Sequence, residues 1–360
     1  MTNENNANKN NENTGHANKD NKNTGHTKWF AAKGDQSDVV LSTRVRLARN
    51  LADAPFPSRL DAQGKQRVTQ RVRDAVQNSE LNYIDMARLP RLEAFSLAER
   101  RLISPEFAAG IPGSGLLLSG DEDVSVMLCE EDHIRIQVLR AGLALRPAYD
   151  AADQIDDALG RGLPYAFDEN LGYLTQCPTN LGTAMRASVM LHLPGLSSLG
   201  RAARLSESIA KLGLTMRGAF GEGSEAEGAL YQLSNQVTLG LEESAALENL
   251  QAITMQIAEQ ERRAAAECLR QPQLEDQIWR AWGILQNARR MESREAIHLL
   301  SLARMGAARG LLPLPAETLS HLMTLTQPAT LSLTEAPPLD AEKRDAKRAE
   351  LIRNHILSKV

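Results

Sequence analysis

The chain has 360 residues, 42% of them hydrophobic, and a formal net charge of −4. That length supports a sizeable core and points to two domains, while the charge gives no global basic signal for nucleic acid. Three cysteines without CxxC spacing and seven histidines without an HExxH pair give no disulfide framework and no zinc site; with no run of 18 apolar residues and no apolar signal core after Met1, a soluble cytoplasmic protein without a structural metal is expected.

Residues 1–27 form a polar, asparagine-dominated tail in which NENTGH (Asn11–His16) recurs as NKNTGH (Asn21–His26). Such a segment buries too little apolar surface to fold alone, so disorder is expected in preference to metal binding by His16 and His26. Order should begin near Trp29. Val39–Arg46 reads as a strand, Asp61–Asn78 as a helix and Leu81–Met86 as a short strand. Asp123–Leu128 and His133–Leu139 read as a hairpin around an acidic turn. Asp150–Leu159, Gly182–Leu193 and Ser197–Leu212 read as helices, and the glycine-rich stretch Gly218–Gly228 as a loop. Beyond Glu242 the pattern becomes helical, over Leu247–Leu269, Leu274–Asn287 and Ser293–Ala308. Ser293 suits an N-cap and Gly310 a C-terminal stop. Prolines at Pro313–Pro315 and Pro337–Pro338 separate shorter helices. The expected class is α+β: a largely antiparallel sheet flanked by helices over 28–245, then an all-helical domain over 246–360.

The run CEEDHIRIQ, Cys129 to Gln137, sets two carboxylates beside a histidine and an arginine. Strand alternation would carry His133, Arg135 and Gln137 to the face of Glu131, with Ile134, Ile136 and Val138 opposite. Taken alone, this is as easily a solvated strand face. Four further segments supply the same chemistry. LSTRVRLARN (Leu41–Asn50) brings Arg44, Arg46 and Arg49. TQCPTNLGTAMRASV (Thr175–Val189) brings Cys177 and Arg186. MRGAFGEGSEAEG (Met216–Gly228) brings Arg217 and Glu222, and SNQVTLG (Ser234–Gly240) closes the set. No GxxxxGK[ST] loop occurs, and Gly221 and Gly223 do not open a dinucleotide fingerprint. Guanidinium forks, which stay charged and grip phosphate through two bonds, can take the place of such a loop.

These five segments, in this order, resemble the guanidino-phosphotransferase family over roughly Asp38 to Gly240. The resemblance implies a phosphoryl donor, ATP with Mg²⁺, cradled by Arg44, Arg46, Arg135, Arg186 and Arg217. It also implies nucleotide contacts along Ser42, Thr43 and Val45, along Ala187, Ser188, Val189 and Met190, and along Gly218, Ala219, Phe220 and Gly221. A guanidinium acceptor is a poor nucleophile until it sheds a proton. Glu131 and Glu222, matching acidic positions of the family, are implied to align it and take that proton. Glu130 and Asp132 should point away from Glu131 by alternation, unless a turn there changes their direction, and Glu225 is a weaker alternative. Cys177, in CPTN, matches the family's reactive cysteine, with Thr179 able to hydrogen-bond its thiolate, and is expected to tune the transfer. Cys129 departs from the family pattern, and Cys268 suits helix packing.

Metabolic members of the family carry a helical domain before the catalytic one; here the helical segment follows it. That layout is similar to the bacterial protein arginine kinases. RDAKRA, Arg344 to Ala349, fits their RDxxRA pattern, which implies a phosphoarginine pocket of Arg344, Asp345, Arg348 and Ala349. A solvated charged helix face is the alternative. The resemblance implies protein substrates with exposed arginine, a homo-oligomer, an activator protein and a Clp-type protease partner. A free-arginine kinase and a non-catalytic phosphoarginine-binding adaptor are the competing readings.

Overall fold

A computed structural model describes residues 28–219 and 226–359. The tail 1–27 and the site positions Phe220, Gly221, Glu222 and Glu225 lie outside the described residues.

Ten strands are present among them: β1 (Val40–Arg49), β2 (Asn82–Asp85), β3 (Gly115–Leu118), β4 (Val124–Leu128), β5 (Ile134–Ala141), β6 (Phe167–Asp168), β7 (Gly172–Tyr173), β8 (Met185–His192), β9 (Leu214–Gly218) and β10 (Leu230–Asn235). Eight of them form one sheet in the order β2-β3-β4-β5-β1-β8-β10-β9, and every pairing is antiparallel. β6 and β7 make a separate two-stranded ribbon. The helices are α1 (Ala62–Ala75), α2 (Arg91–Glu99), α3 (Leu145–Gly160), α4 (Pro194–Ser198), α5 (Ala202–Ala210), α6 (Glu243–Cys268), α7 (Pro272–Asn287), α8 (Ser293–Ala308), α9 (Ala316–Leu325), α10 (Pro328–Ser332) and α11 (Ala341–Leu357). This is the expected α+β class.

Period-two alternation explains the two faces of the sheet. On β1, Val45 and Leu47 enter a core shared with Ile134, Ile136 and Val138 of β5 and Ala187, Val189 and Leu191 of β8. Helices α1, α3 and α6 contribute Val68, Ala148, Leu250 and Ile257 to the same core. The opposite face carries Arg44 and Arg46 of β1, Arg135 and Gln137 of β5, and Arg186 and Met190 of β8. A second core joins α7, α8, α9 and α11 around Ile278, Leu300, Leu319 and Ile352, and it reaches the sheet through Met190 and Leu230.

The two parts are pinned by Arg304 of α8, which is fully buried. Its guanidinium donates to the carbonyls of Ser37 (2.6 Å) and Asp38 (3.1 Å) and to Ser320 Oγ (2.7 Å), and lies 2.7 Å from His192 Nδ1.

Several expectations need correction. Gly182–Leu193 is not a helix: it holds the central strand β8. Its alanines, methionines and leucines favour a helix intrinsically, but pairing with β1 on one side and β10 on the other wins. Ser197–Leu212 is broken into α4 and α5. Asp61, expected as the first helical residue, instead caps α1, accepting from the Gly64 N–H at 2.7 Å, and Gly310 has φ +74 beyond α8. Ser293 is the first residue of α8 and not its cap; Glu292 holds that position without a side-chain bond.

Candidate active site

The acidic turn is built by backbone geometry. Cys129 takes φ +57, and its N–H donates to the His133 carbonyl at 2.9 Å. The strand starts only at Ile134, so alternation does not extend back through the turn. Two expectations change as a result, those for Glu130 and His133. Glu130 joins Glu131: Arg135 Nη1 lies 2.5 Å from Glu130 Oε2, and Nη2 lies 2.6 Å from Glu131 Oε2. Ser104 Oγ also donates to Glu130 at 2.6 Å, which leaves Glu131 the more exposed carboxylate. His133 leaves the site: it is buried, its Nδ1 accepts from the Leu51 N–H (3.0 Å), and Nε2 lies 2.8 Å from the Pro55 carbonyl. Burial lowers its pKa, which suits a neutral structural imidazole. Asp132 is buried and accepts from Asn50 Nδ2 (2.7 Å) and the Gln176 N–H (2.9 Å), so it anchors the segment carrying Cys177.

The sheet register brings the arginines together. Arg46 is paired directly with Arg186 on one side and with Gln137 on the other; Ala48 is paired with Arg135, and Gln232 with Arg217. Like charges opposite each other on neighbouring strands repel. Burial first, and then neighbouring guanidiniums, hold Arg44 well below the usual range, bring Arg46 down to about 9 and lower Arg186. At neutral pH these side chains keep their charge. Arg44 Nη2 donates to Gln232 at 2.9 Å, and Arg186 Nη2 reaches Ser234 Oγ at 3.4 Å. The Nε atoms of Arg46 and Arg186 are buried without a partner. A buried donor without an acceptor is costly, and an anion would satisfy both groups and relieve the repulsion.

Two cavities open on this face. The larger, about 900 Å³, includes Arg44, Arg101, Met190, Gly218, Ala219 and Gln232 in its wall. The smaller, about 390 Å³, is walled by Thr179, Asn180, Arg186, Asn235, Gln236 and Thr238. Both share Arg46, Glu131, Arg135 and Arg217. Of the expected nucleotide positions, Ser42 and Ser188 also face this side. Thr43 turns the other way, its hydroxyl donating to the Gly142 carbonyl (2.7 Å), and Val45, Ala187 and Val189 lie in the core. Cys177 Sγ lies 3.0 Å from Thr179 Oγ1, as expected, with Thr179 in the wall of the smaller cavity. Arg49 is structural: it pairs with buried Asp156 at 2.6 Å and stacks 3.5 Å over Tyr173. Cys129 is buried and pushed up to about 11 by desolvation, and Cys268 is buried in the helical packing.

Arg101 also belongs to the cleft wall, although no motif contains it. It has φ +66, lines the larger cavity, and is lowered to about 10 by burial. Only its place in a basic dipeptide marked it. Gln137 fixes it there by donating to the carbonyls of Arg101 (2.8 Å) and Leu102 (3.0 Å).

The RDAKRA segment lies on α11. Arg348 is buried and donates to the carbonyls of Thr326 (3.0 Å) and Met291 (2.8 Å) and to Asp345 (2.7 Å). Arg344 is half-buried and donates to the Leu339 carbonyl at 3.1 Å; Ala349 packs in the helical core. The Arg348 guanidinium thus spends its donors within the fold.

Comparison with known proteins agrees with this geometry. Residues 64–264 match the model of the ATP:guanido phosphotransferase C-terminal catalytic domain, and residues 271–359 match that of the Protein-arginine kinase McsB C-terminal domain. A protein-arginine kinase of Halothermothrix orenii is 45% identical over 334 residues, covering 91% of this chain and 96% of the relative. One from Brevibacillus brevis is 45% identical over 340 residues, covering 92% and 95%. Among solved structures, the duplicated taurocyamine kinase of Schistosoma mansoni with bound transition state analog components has a TM-score of 0.57 and 28% identity, over 64% of this chain and 34% of that one. A lombricine kinase shares the fold, with a TM-score of 0.57 and 21% identity over 66% of this chain and 70% of its own. The chain belongs to the ATP:guanido phosphotransferase family of kinases, within its protein-arginine kinase branch.

Proposed function

We propose that the larger cavity holds ATP, the smaller one holds the side chain of a protein arginine, and the γ-phosphoryl group passes between them. The observation that carries this reading is the shared wall: Arg46, Glu131, Arg135 and Arg217 border both spaces. A group bridging the cavities would meet three cations and one carboxylate. The unpartnered Nε atoms of Arg46 and Arg186 fit an anionic donor. Mg²⁺, supplied with the nucleotide, would neutralise phosphate charge. The cradle of Arg44, Arg46, Arg135, Arg186 and Arg217 would orient the phosphates and stabilise the charge of the transferring group.

On the acceptor side, Glu131 is the more exposed of the two carboxylates on Arg135. It would align the incoming guanidinium and take its proton, with Glu222 as second carboxylate. Glu130, held by Ser104 and Arg135, would position the latter. Cys177 and Thr179 would tune the acceptor pocket. The helical residues 246–360 are proposed as a regulatory and oligomerisation domain beside the catalytic residues 28–245. There Arg344, Asp345, Arg348 and Ala349 could receive phosphoarginine if Arg348 exchanged its carbonyl partners for the ligand. An activator protein and a Clp-type protease partner are part of the same proposal, as is a cytoplasmic location; no described helix is long and apolar enough to cross a membrane.

The test offers Mg-ATP with an arginine-rich protein in competition with free arginine, and assays acid-labile phosphate on each. Label on the protein is the expected result. Label on free arginine alone would favour the small-substrate reading, and no transfer to either would favour the adaptor.

A further inference from the structure

The sheet gives the larger cavity a direction. Alternate residues of β1 face the cleft: Arg46 on the wall common to both cavities, then Arg44, then Ser42. Their partners on β8 are Arg186, Ser188 and Met190, in the same order. From Arg46 to Ser42 is four residues of antiparallel strand, about 14 Å. A nucleoside triphosphate laid along β1, with its reacting phosphoryl group at Arg46, brings its base to the rung of Ser42 and Met190.

That end of the cavity is closed by the helical part. Gln327, between α9 and α10, lines the larger cavity together with Met190 and Ala98. It also lines, beside Ser42 and Met190, an adjoining niche of about 40 Å³. The niche has room for only a few waters, so a base stays in the larger cavity and meets Gln327 at its edge. Gln327 is fixed from both sides. Before it, Arg348 Nε donates to the Thr326 carbonyl at 3.0 Å. After it, the N–H groups of Ala329 and Thr330 donate to Glu99 at 2.8 and 2.7 Å, which ties the start of α10 to α2. Its own Nε2 donates to the Met323 carbonyl at 3.0 Å, which orients the amide. Gln176 and Gln232 of the same wall have Oε1 engaged, by the Ser58 N–H and by Arg44. Gln327 keeps Oε1 and one N–H for a ligand among the described residues.

Given ATP in the larger cavity, on which this rests, we infer that Gln327 reads the base: Oε1 accepts from the 6-amino group of adenine, and the second amide N–H donates to the neighbouring ring nitrogen. Adenine offers that donor and acceptor side by side. Guanine carries an oxo group at the same place, which would oppose Oε1. The helical part thereby sets the base preference of a site whose phosphate cradle lies wholly in the sheet.

The test titrates Mg-ATP, Mg-GTP and magnesium purine riboside triphosphate, which is ATP without its 6-amino group, into the full chain by calorimetry. Wild type should bind ATP about tenfold more tightly than either analogue. Gln327→Leu should bring ATP and purine riboside triphosphate close together and melt with wild type, since the side chain is only half-buried. Gln327→Met carries the same test should the leucine variant melt early. Equal affinity of wild type for ATP and either analogue overturns the inference without any variant. A variant that keeps the wild-type ratio, or weakens all three nucleotides alike, shows a structural role only and overturns it too. The cavity assignment fails by a separate readout. Arg44 lines the larger cavity and not the smaller, so wild-type ATP affinity in Arg44→Ala would sink that assignment, whatever the ratios.

Discussion

Two sets of arginines, one half-buried and one buried, divide the molecule. In the sheet, Arg46 and Arg186 face each other across strands with buried Nε atoms that bond nothing. In the helical part, Arg304 and Arg348 are more deeply buried, yet each spends its guanidinium on acceptors: Ser37, Asp38, Ser320 and His192 around the first, Thr326, Met291 and Asp345 around the second. The difference teaches how to separate a structural cation from a functional one. A satisfied guanidinium is a lock between backbone segments, and a ligand for one, such as the phosphoarginine proposed for Arg348, must first displace those partners. One left with open donors among like charges is set for an anion that comes from outside the fold.

The strongest way to break this comparison is to truncate a member of each set. Arg46→Ala should lower phosphoryl transfer by roughly 10²–10³-fold, the usual cost of one preorganised donor to developing charge. Its melting temperature should stay level or rise, because the change removes a desolvated, repelled charge. Steady-state kinetics and a thermal melt read the two effects. Arg304→Met should do the reverse, losing about 3–5 kcal/mol in urea unfolding because several carbonyls and His192 lose their donor. A stable Arg304→Met protein would show that the lock is dispensable.

Next in size is the carboxylate proposed for the acceptor side. Glu131→Gln keeps shape and removes the proton acceptor, so turnover should fall about 10²-fold with ATP affinity little changed. Unaltered turnover would move the base to another group.

The smallest effect concerns pH. His321 of α9 packs against Phe30 at 5.2 Å and against His355 of α11 at 5.5 Å. Burial first, and then His355 and Lys359, push its pKa down to about 4 from the usual 6.5. Between those values the unfolded chain binds the proton and the folded chain does not. Stability should therefore be lost as pH falls from about 6.5 towards 4. His321→Asn should flatten that limb by about 3 °C in a melt series. Parallel curves for both proteins would place the acid sensitivity elsewhere.

The same contrast explains what could be read from residues alone. β1, the hairpin of β4 and β5, and the long helices of the C-terminal part were legible because one face of each is apolar at a fixed period. β8 was not, although Met185, Ala187, Val189 and Leu191 alternate with Arg186, Ser188 and His192: its alanine, methionines and leucine favour a helix intrinsically, and Met190 interrupts the polar set. The five arginines proposed as a cradle stand out through their motifs, and the register accounts for the proximity of Arg46, Arg135, Arg186 and Arg217. The joint grip of Glu130 and Glu131 on Arg135 was hidden, because a positive φ at Cys129 breaks the strand pattern where it was being extrapolated. Arg101 was hidden for a related reason, its left-handed backbone turning it into the cleft. Arg344 and Arg348 share a helix face by spacing, but only packing decides that Arg348 turns inward to Thr326 and Met291.

The most direct test of the division is calorimetric titration of Mg-ATP into Arg186→Ala and Arg304→Met, with a melt of each. The account predicts that Arg186→Ala binds at least about tenfold more weakly, the loss of one charge-assisted contact, and melts with wild type. Arg304→Met should melt earlier and, at a temperature where it is folded, bind as wild type does. Wild-type affinity in Arg186→Ala would contradict the account, because the open guanidinium in the sheet would then have no anion to meet.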